Sequence, residues 1–526
     1  MGPAGPRGPF GEHLLGLARE SSSLVRESLA YEDAPLSELL RRLRYTPVDG
    51  LQPRDDVWDA VGDQIAFYYG TDLVEEAVAD LRADPMLPTS NHFGVDTFAD
   101  SVQGTLLFAL RPRPGGGRRR VVVVLGCGSV SLDNLTYPMG LLLYDPRNGD
   151  PRSLPQRLPV FPNRLRRTSV GLAGPFDEQM VNRARVRLHN MRLAGEVTRF
   201  CERAAGQVLD EDFAAPATLS LPTYGHQATR INMGLWSRMF SGGAPPARFV
   251  QLHLEAVCTA LLAKDLHDPA SLVHRVFFEP VTRGAVLAGL DGALACWRLE
   301  KLERRLRGMI EDTQPRDGTI FFWGLTDYGR RIPLTLVQDG AALRLAGLDE
   351  RRQRWDWEFS PDGLISALRG GSLVPSLLTC YTALAFARGV VCVGGYYQAG
   401  YLPVMQRGVT DAVGTRDPAA AAVVARVPTG ISLAGLQFAV RVLPDGAAIP
   451  AGPVEIAGVG GLTESDLSRI ESVTVREAHL AAFPETFPHM APDAVLPDDW
   501  IARLTAENGA ACPSLIQLSW ERRSDR

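Results

Sequence analysis

Apolar residues recur every four positions in MLPTSNHFGVDTFADSVQGTLLFAL, Met86 to Leu110, where Phe98, Val102, Leu106 and Leu110 fall on one line. Such a stripe predicts a helix with one buried face, entered from a polar loop that carries His92. Residues 12–82 read as mainly helical, as in PLSELLRRLRY and DDVWDAVGDQIAFYYG. After the turn RPRPGGGRRR, four consecutive valines in VVVVLGCGSV predict a buried strand, and GLLLYD predicts another. Met180, Ala184, Leu188 and Met191 share a helical face, which predicts one long helix from Asp177 to about Gly206. Helical patterns dominate 246–313, and GTIFFWGLTD with RRIPLTLVQ reads as a strand pair. SPDGLISALRGGSLVPSLLTCYTALAFARG returns to helix, and VVCVGGYYQAGYLP to strand and turn.

This alternation is not a clean β-α-β series. The predicted class is α/β or α+β, with a mixed sheet core, many helices and a smaller C-terminal α/β unit. Three regions follow: an N-terminal tail and helical segment (1–82), a main α/β catalytic or ligand-binding region (83–415), and the C-terminal unit (416–526), which starts at an Ala-rich joint near 416–426.

Composition narrows the function. The 526 residues are 45% hydrophobic and 22% charged, the balance of a globular chain long enough for two or three cores. A net charge of -5 offers no general attraction to nucleic acid or anionic membrane. No apolar run reaches the ~20 residues that span a bilayer. The opening MGPAGPRGPFGEHLLGLARE lacks an apolar core of the secretory type and suggests a short disordered tail. Seven cysteines (Cys127, Cys201, Cys258, Cys296, Cys380, Cys392 and Cys512) stand singly, without a C-x-x-C pair. An odd, scattered set argues against a disulfide framework and for a cytoplasmic protein. Only Lys264 and Lys301 are lysines, both in helical patterns, so Schiff-base chemistry is disfavoured and no phosphate-binding P-loop exists. Anions would fall to arginine.

His92 precedes a helix start, where unpaired N–H groups favour negative charge, and a general base there is well placed. Asp96 or Thr97 is a candidate cap, and Thr97 with Asp100 has capping-box-like spacing. HFGVD, His92 to Asp96, resembles the H-x-x-x-D motif of acyltransferases of the condensation-domain and CoA-dependent kind. That resemblance covers five residues and implies a histidine that acts as base or positions the reacting group, with a largely structural aspartate. Asn91 stands where the condensation motif has its first histidine, and Thr97 where it has its last glycine. HMAPD, His489 to Asp493, matches the same spacing. LPTSNH (87–92) also recurs as LPTYGH (221–226), so His226 is a candidate partner of His92 across one cleft.

LGCGSVSLDNLTYPMG places a G-x-G after a strand, but its third glycine and helix are missing, which disfavours a dinucleotide fold. Glycines there suit close backbone approach to a ligand. Cys127 is either a nucleophile or an inert buried thiol. Asp133, Asn134 and Tyr137 supply acid, amide and phenol to a turn. A metal site would have to draw on His92, Asp96, His226, His253 and Glu255; FVQLHLEAV reads better as helix, which turns His253 away from Glu255. GGYYQAGYLPVMQRG, with Tyr397, Gln398 and Arg407, suits a ligand wall. Arg164, Arg166, Arg167, Arg183, Arg185 and Arg187 make either a solvated face or an anion pocket.

The resulting expectation is a cytoplasmic enzyme of small-molecule metabolism, a transferase or hydrolase working at an acyl-type carbon. His92 is the expected general base and His226 a second acid–base or positioning group. Asn91, Asp133, Asn134, Tyr137, Tyr397, Gln398 and Arg407 are the expected substrate contacts, with an anionic substrate among the options. No cofactor or resident metal is assigned, and nucleic acid and membrane are not expected partners. The alternatives are a metal-dependent hydrolase or lyase using His92, Asp96 and His226, and a non-catalytic binding or assembly protein.

Overall fold

The computed structural model describes residues 8–51, 55–114, 116–309, 318–340 and 342–518. The first seven residues of the expected Gly/Pro tail lie outside them; Pro9–Ser21 is already helix. Helix accounts for 51% and strand for 16%, the strands lying in several small sheets, so the fold is α+β.

Four short parallel segments frame the site. Val121–Gly126 pairs with Arg248–His253, setting Gly126 opposite His253. Met86–Pro88 pairs with Val391–Val393. The two pairs meet where the chain beyond Pro88 reaches the end of the valine strand. There Phe93 N–H donates to Cys127 O and Cys127 N–H to Asn91 O, both at 3.0 Å. This parallel bridge sets His92 opposite Cys127. The valine run belongs in such a sheet because both its faces are covered. Val121, Val123 and Leu125 enter one apolar cluster, while Val122 and Val124 enter another. All four segments run the same way, so their carboxyl ends point to one side of the molecule, where open parallel sheets place ligands.

The remaining sheets are largely antiparallel. Phe322–Leu325 pairs with Arg331–Pro333, as the sequence predicts, and with Leu373–Pro375. Gly140–Leu143 pairs with Gln156–Pro159, confirming the GLLLYD strand. Ala439–Val442 lies between Ala448–Pro450 and Ile516–Leu518. One apolar cluster joins Leu14, Leu36, Leu106, Val122, Phe438 and Phe483, thus drawing on both sides of residue 416.

Several elements differ from the sequence reading. Helix Ala99–Leu110 is buried nearly all round instead of on one face. Its polar Gln103 tolerates this because all its polar atoms are used: Nε2 donates to Ala439 O and Ala451 O, and Oε1 accepts from Phe438 N and Ala439 N. The long 177–206 helix is two helices, Glu178–Leu193 and Arg199–Val208. Gly195 at φ +72° ends the first, and the Thr198 hydroxyl caps the second. Arg248–His253 is strand where helix was expected, and helix begins at Leu254. Tyr396–Gly414 is helix in place of strand and turn, despite Pro403 within it. The 416–426 joint holds helix Pro418–Val424, capped by Asp417 and tied back by the Gln406 amide to Val424 O and Val427 O.

Candidate functional site

A cavity of about 310 Å³ opens at the carboxyl ends of the parallel segments. Thr89, Ser90, Asn91 and His92 follow the first segment, Cys127 follows the valine strand, and Gly395 to Gln398 follow Val391–Val393. Helix Ala99–Leu110 adds Asp100 and Ser101, and helix Val475–Met490 adds Glu485 and His489.

The loop carrying His92 is fixed by buried amides. Gln251 Nε2 donates to His92 O, Asn232 Nδ2 donates to Gln251 Oε1 and Gly94 O, and Asp96 N–H donates to Asn232 Oδ1. Asp96 is the hub of the turn and accepts from Asn91 Nδ2, Ser101 Oγ and Phe98 N–H. Burial raises its carboxyl to about 6 in spite of these donors. Thr97 Oγ1 is spent on Leu142 N–H, so the Thr97–Asp100 capping box does not form, and Asp100 is left to face the cavity.

His92 is oriented through its ring. Asn134 Nδ2 donates to Ser131 O at 2.5 Å, and Thr136 N–H donates to Asn134 Oδ1, which fixes the amide with its oxygen toward the histidine. His92 Nδ1–H therefore donates to Asn134 Oδ1 at 2.7 Å. The proton sits on Nδ1, and Nε2 carries the lone pair. Among the described residues nothing bonds Nε2, and the residue forms part of the cavity wall. Burial holds the imidazole below its ordinary value, partly offset by Asn134 and by the Glu255 charge, so the ring is neutral at neutral pH.

Cys127 lies beside this base but is not a ready nucleophile. Its thiol donates to Glu255 Oε1 at 3.1 Å, and burial followed by the Glu255 charge pushes it far above the thiolate range. Glu255 also accepts Gly128 N–H and Ser129 N–H, and it lies 3.1 Å from His253 Nε2. The strand-to-helix junction at Leu254 thus brings His253 and Glu255 together, where a continuous helix would separate them. Burial alone would raise the Glu255 carboxyl; His253 and the N–H donors overcome it and hold the group well below the usual carboxylate range. The glycines of GCG make room for protein and not for a ligand. A Cβ on Gly126 would lie 2.7 Å from Phe93 N, and one on Gly128 would lie 2.2 Å from His253 Nε2. Glu255→Ala is expected to cost about 2–4 kcal/mol by orphaning these donors. Because its folded value is depressed, the contribution is full above the ordinary carboxyl range and declines as pH falls from there toward the folded value. Urea unfolding of both proteins at about pH 7 and about pH 3 should show the gap closing in acid.

The other expected contacts divide. Asn91, Tyr397 and Gln398 line the cavity, and Asn134 acts through His92. Gln398 is spent on Thr89 Oγ1 and Tyr381 OH. Tyr397 and His489 bond to each other, and both are exposed. Asp133 binds the Ser131 hydroxyl, Tyr137 is buried under the Arg157 guanidinium, and Arg407 is exposed on its helix; none of the three lines the cavity. His226 also stands apart from the wall. Its Nδ1 meets Thr223 Oγ1, its Nε2 meets Phe67 O, and its ring packs on Phe67 and Tyr68. The shared LPT-x-x-H text therefore marks two helix entries and not two halves of one cleft. Arg164, Arg166, Arg183 and Arg187 are exposed, Arg167 pairs with Glu350 and Arg185 with Asp210, which makes this stretch a solvated face. Among the described residues no three His, Cys, Asp or Glu side chains are arranged to hold a metal ion. No helix among them is long and apolar enough to cross a membrane.

Asp100 was read from the sequence only as part of a helix cap, and Glu485, Tyr396 and Tyr401 were not singled out. Glu485 and His489 are four apart on a helix, a spacing that shares a face. Compared with family models, with curated proteins and with solved structures, the chain matches none.

Proposed function

We propose that this chain is a cytoplasmic enzyme of small-molecule metabolism that transfers or hydrolyses an acyl-type group, with His92 as its general base. The carrying observation is the Nδ1–H bond from His92 to Asn134, which leaves the basic Nε2 to a cavity at the carboxyl ends of parallel strands. His92 takes the proton of an attacking hydroxyl or amine as its oxygen or nitrogen bonds to the acyl carbon. It returns that proton to the leaving group as the old bond breaks. Asn134 keeps the ring in the working tautomer throughout, while Asp96 holds the loop, the division of labour that the H-x-x-x-D resemblance implies. Seven free, buried cysteines suit a reducing compartment.

Mass spectrometry of reactions containing a small acyl thioester, with and without an added amine, tests the reading. A free acid or an amide whose yield depends on His92 supports it, and product formation unaffected by His92→Gln contradicts it.

A further inference from the structure

Every charged side chain in the cavity wall that is not a histidine is an acid. Asp100 and Glu485 are there, and among the described residues neither lysine nor arginine is. Arg331, whose charge reaches His92 and Glu255, is not part of the wall. Two acceptors are left over. Asn91 is 1% exposed and its Oδ1 has no partner, and Asp100 Oδ1 is buried with none. Glu485 receives Tyr144 O–H at 2.6 Å and Gln437 Nε2–H at 2.7 Å, both neutral donors. Phe98, Tyr396 and Tyr401 add aromatic surface to the same wall.

We propose that this cavity binds a primary amine as its ammonium ion, with Asp100 and Glu485 as counter-charges, the Asn91 carbonyl as a third acceptor, and the aromatic rings around the carbon next to nitrogen. An ammonium brings three donors and a positive charge, which is what this wall lacks. The proposal rests on the acyl-transfer reading only in making the amine the acceptor. One ammonium proton passes to a carboxylate, and the neutral amine attacks the acyl carbon of an ester or thioester. His92 takes the second proton and hands it to the departing alcohol or thiol. An amide and the protonated leaving group result.

The two carboxyls have a matching signature. Burial raises the Asp100 carboxyl to about 7, opposed by Gly435 N–H and assisted by Asp96; burial and then the Asp100 charge raise Glu485 to about 8. The titratable neighbours are Asp96 and Tyr396 beside Asp100 and Tyr144 beside Glu485, with His92 and His489 in the wall and His479 bonded to Tyr396. Carboxyls raised on folding oppose stability as pH rises from their unfolded values to their folded ones. Asp100→Asn and Glu485→Gln should therefore raise the melting temperature of the unliganded protein near neutral pH. A purely structural role would lower it.

Calorimetric titration with benzylammonium, benzyl alcohol and benzoate at about pH 8 tests the site. Benzylammonium should bind at least about tenfold more tightly than either analogue. That preference should weaken at about pH 6, where the carboxyls hold their protons, and fall about tenfold or more in folded Asp100→Asn or Glu485→Gln. Benzyl alcohol binding as tightly as benzylammonium, or both folded variants binding it like wild type, would overturn the proposal. Hydrolysis of an ester needs no amine, so the two readings fail separately. Absent ammonium preference with His92-dependent hydrolysis rejects the amine site alone. Ammonium preference with His92-independent hydrolysis rejects the base.

Discussion

Asp84→Ala is expected to remove about 3–5 kcal/mol of folding stability, a large part of a margin that is typically about 5–15 kcal/mol. Asp84 is fully buried and is the shared counter-ion of Arg111 and Arg119, whose side chains are 1% and 2% exposed. Both guanidinium groups lie against the Phe108 ring, at 5.0 and 4.4 Å from its centre. Burial, then the neighbouring Arg119 charge, lowers Arg111 to about 10, and Asp84 opposes that fall. Without the carboxylate, two buried cations repel each other at the end of helix Ala99–Leu110 and the start of the valine strand, the elements that carry the site. Urea unfolding measures the loss. Replacing all three residues by apolar ones of similar volume should recover most of it, since the penalty comes from uncompensated charge and not from lost volume. A single Asp84→Ala variant as stable as wild type would contradict this account of the buried triad.

His92→Gln is expected to lower kcat about 10²–10⁴-fold with the melting temperature little changed. Glutamine offers an N–H to Asn134 but no basic nitrogen to the cavity. KM should move little, because binding rests on other parts of the wall, and kcat/KM should carry nearly the whole loss. Since burial holds the imidazole below its ordinary value, wild-type kcat/KM should rise with pH along a limb below about 6.5 and then level off. The limb belongs to the base and should vanish in the variant. Asn134→Ala should give a smaller loss, because it frees the tautomer and ring angle without removing the base.

The valine strand, the helix after His92 and the strand pair at 322–333 were legible because each is a strong local pattern, an unbroken apolar run or a helical stripe. Arg248–His253 was not. Its apolar positions continue into helix Leu254–Asp265, and only pairing with the valine strand decides where strand gives way to helix. The same junction brings Glu255 to Cys127, a contact that no spacing announces. His92 lies in the cavity wall, in the loop that the sequence places before a helix, while His226 shares its text but not its surroundings. Asp100 and Glu485, 385 positions apart, meet only through the fold, and a first-turn aspartate ordinarily reads as a helix cap.

The most direct test of the account is the initial rate of p-nitrophenyl acetate hydrolysis by wild type and His92→Gln, measured side by side across substrate concentration. Saturable hydrolysis by wild type that falls to the buffer rate in a folded variant is the result the account predicts. Equal rates in the two proteins, or no saturable hydrolysis by wild type, would contradict it.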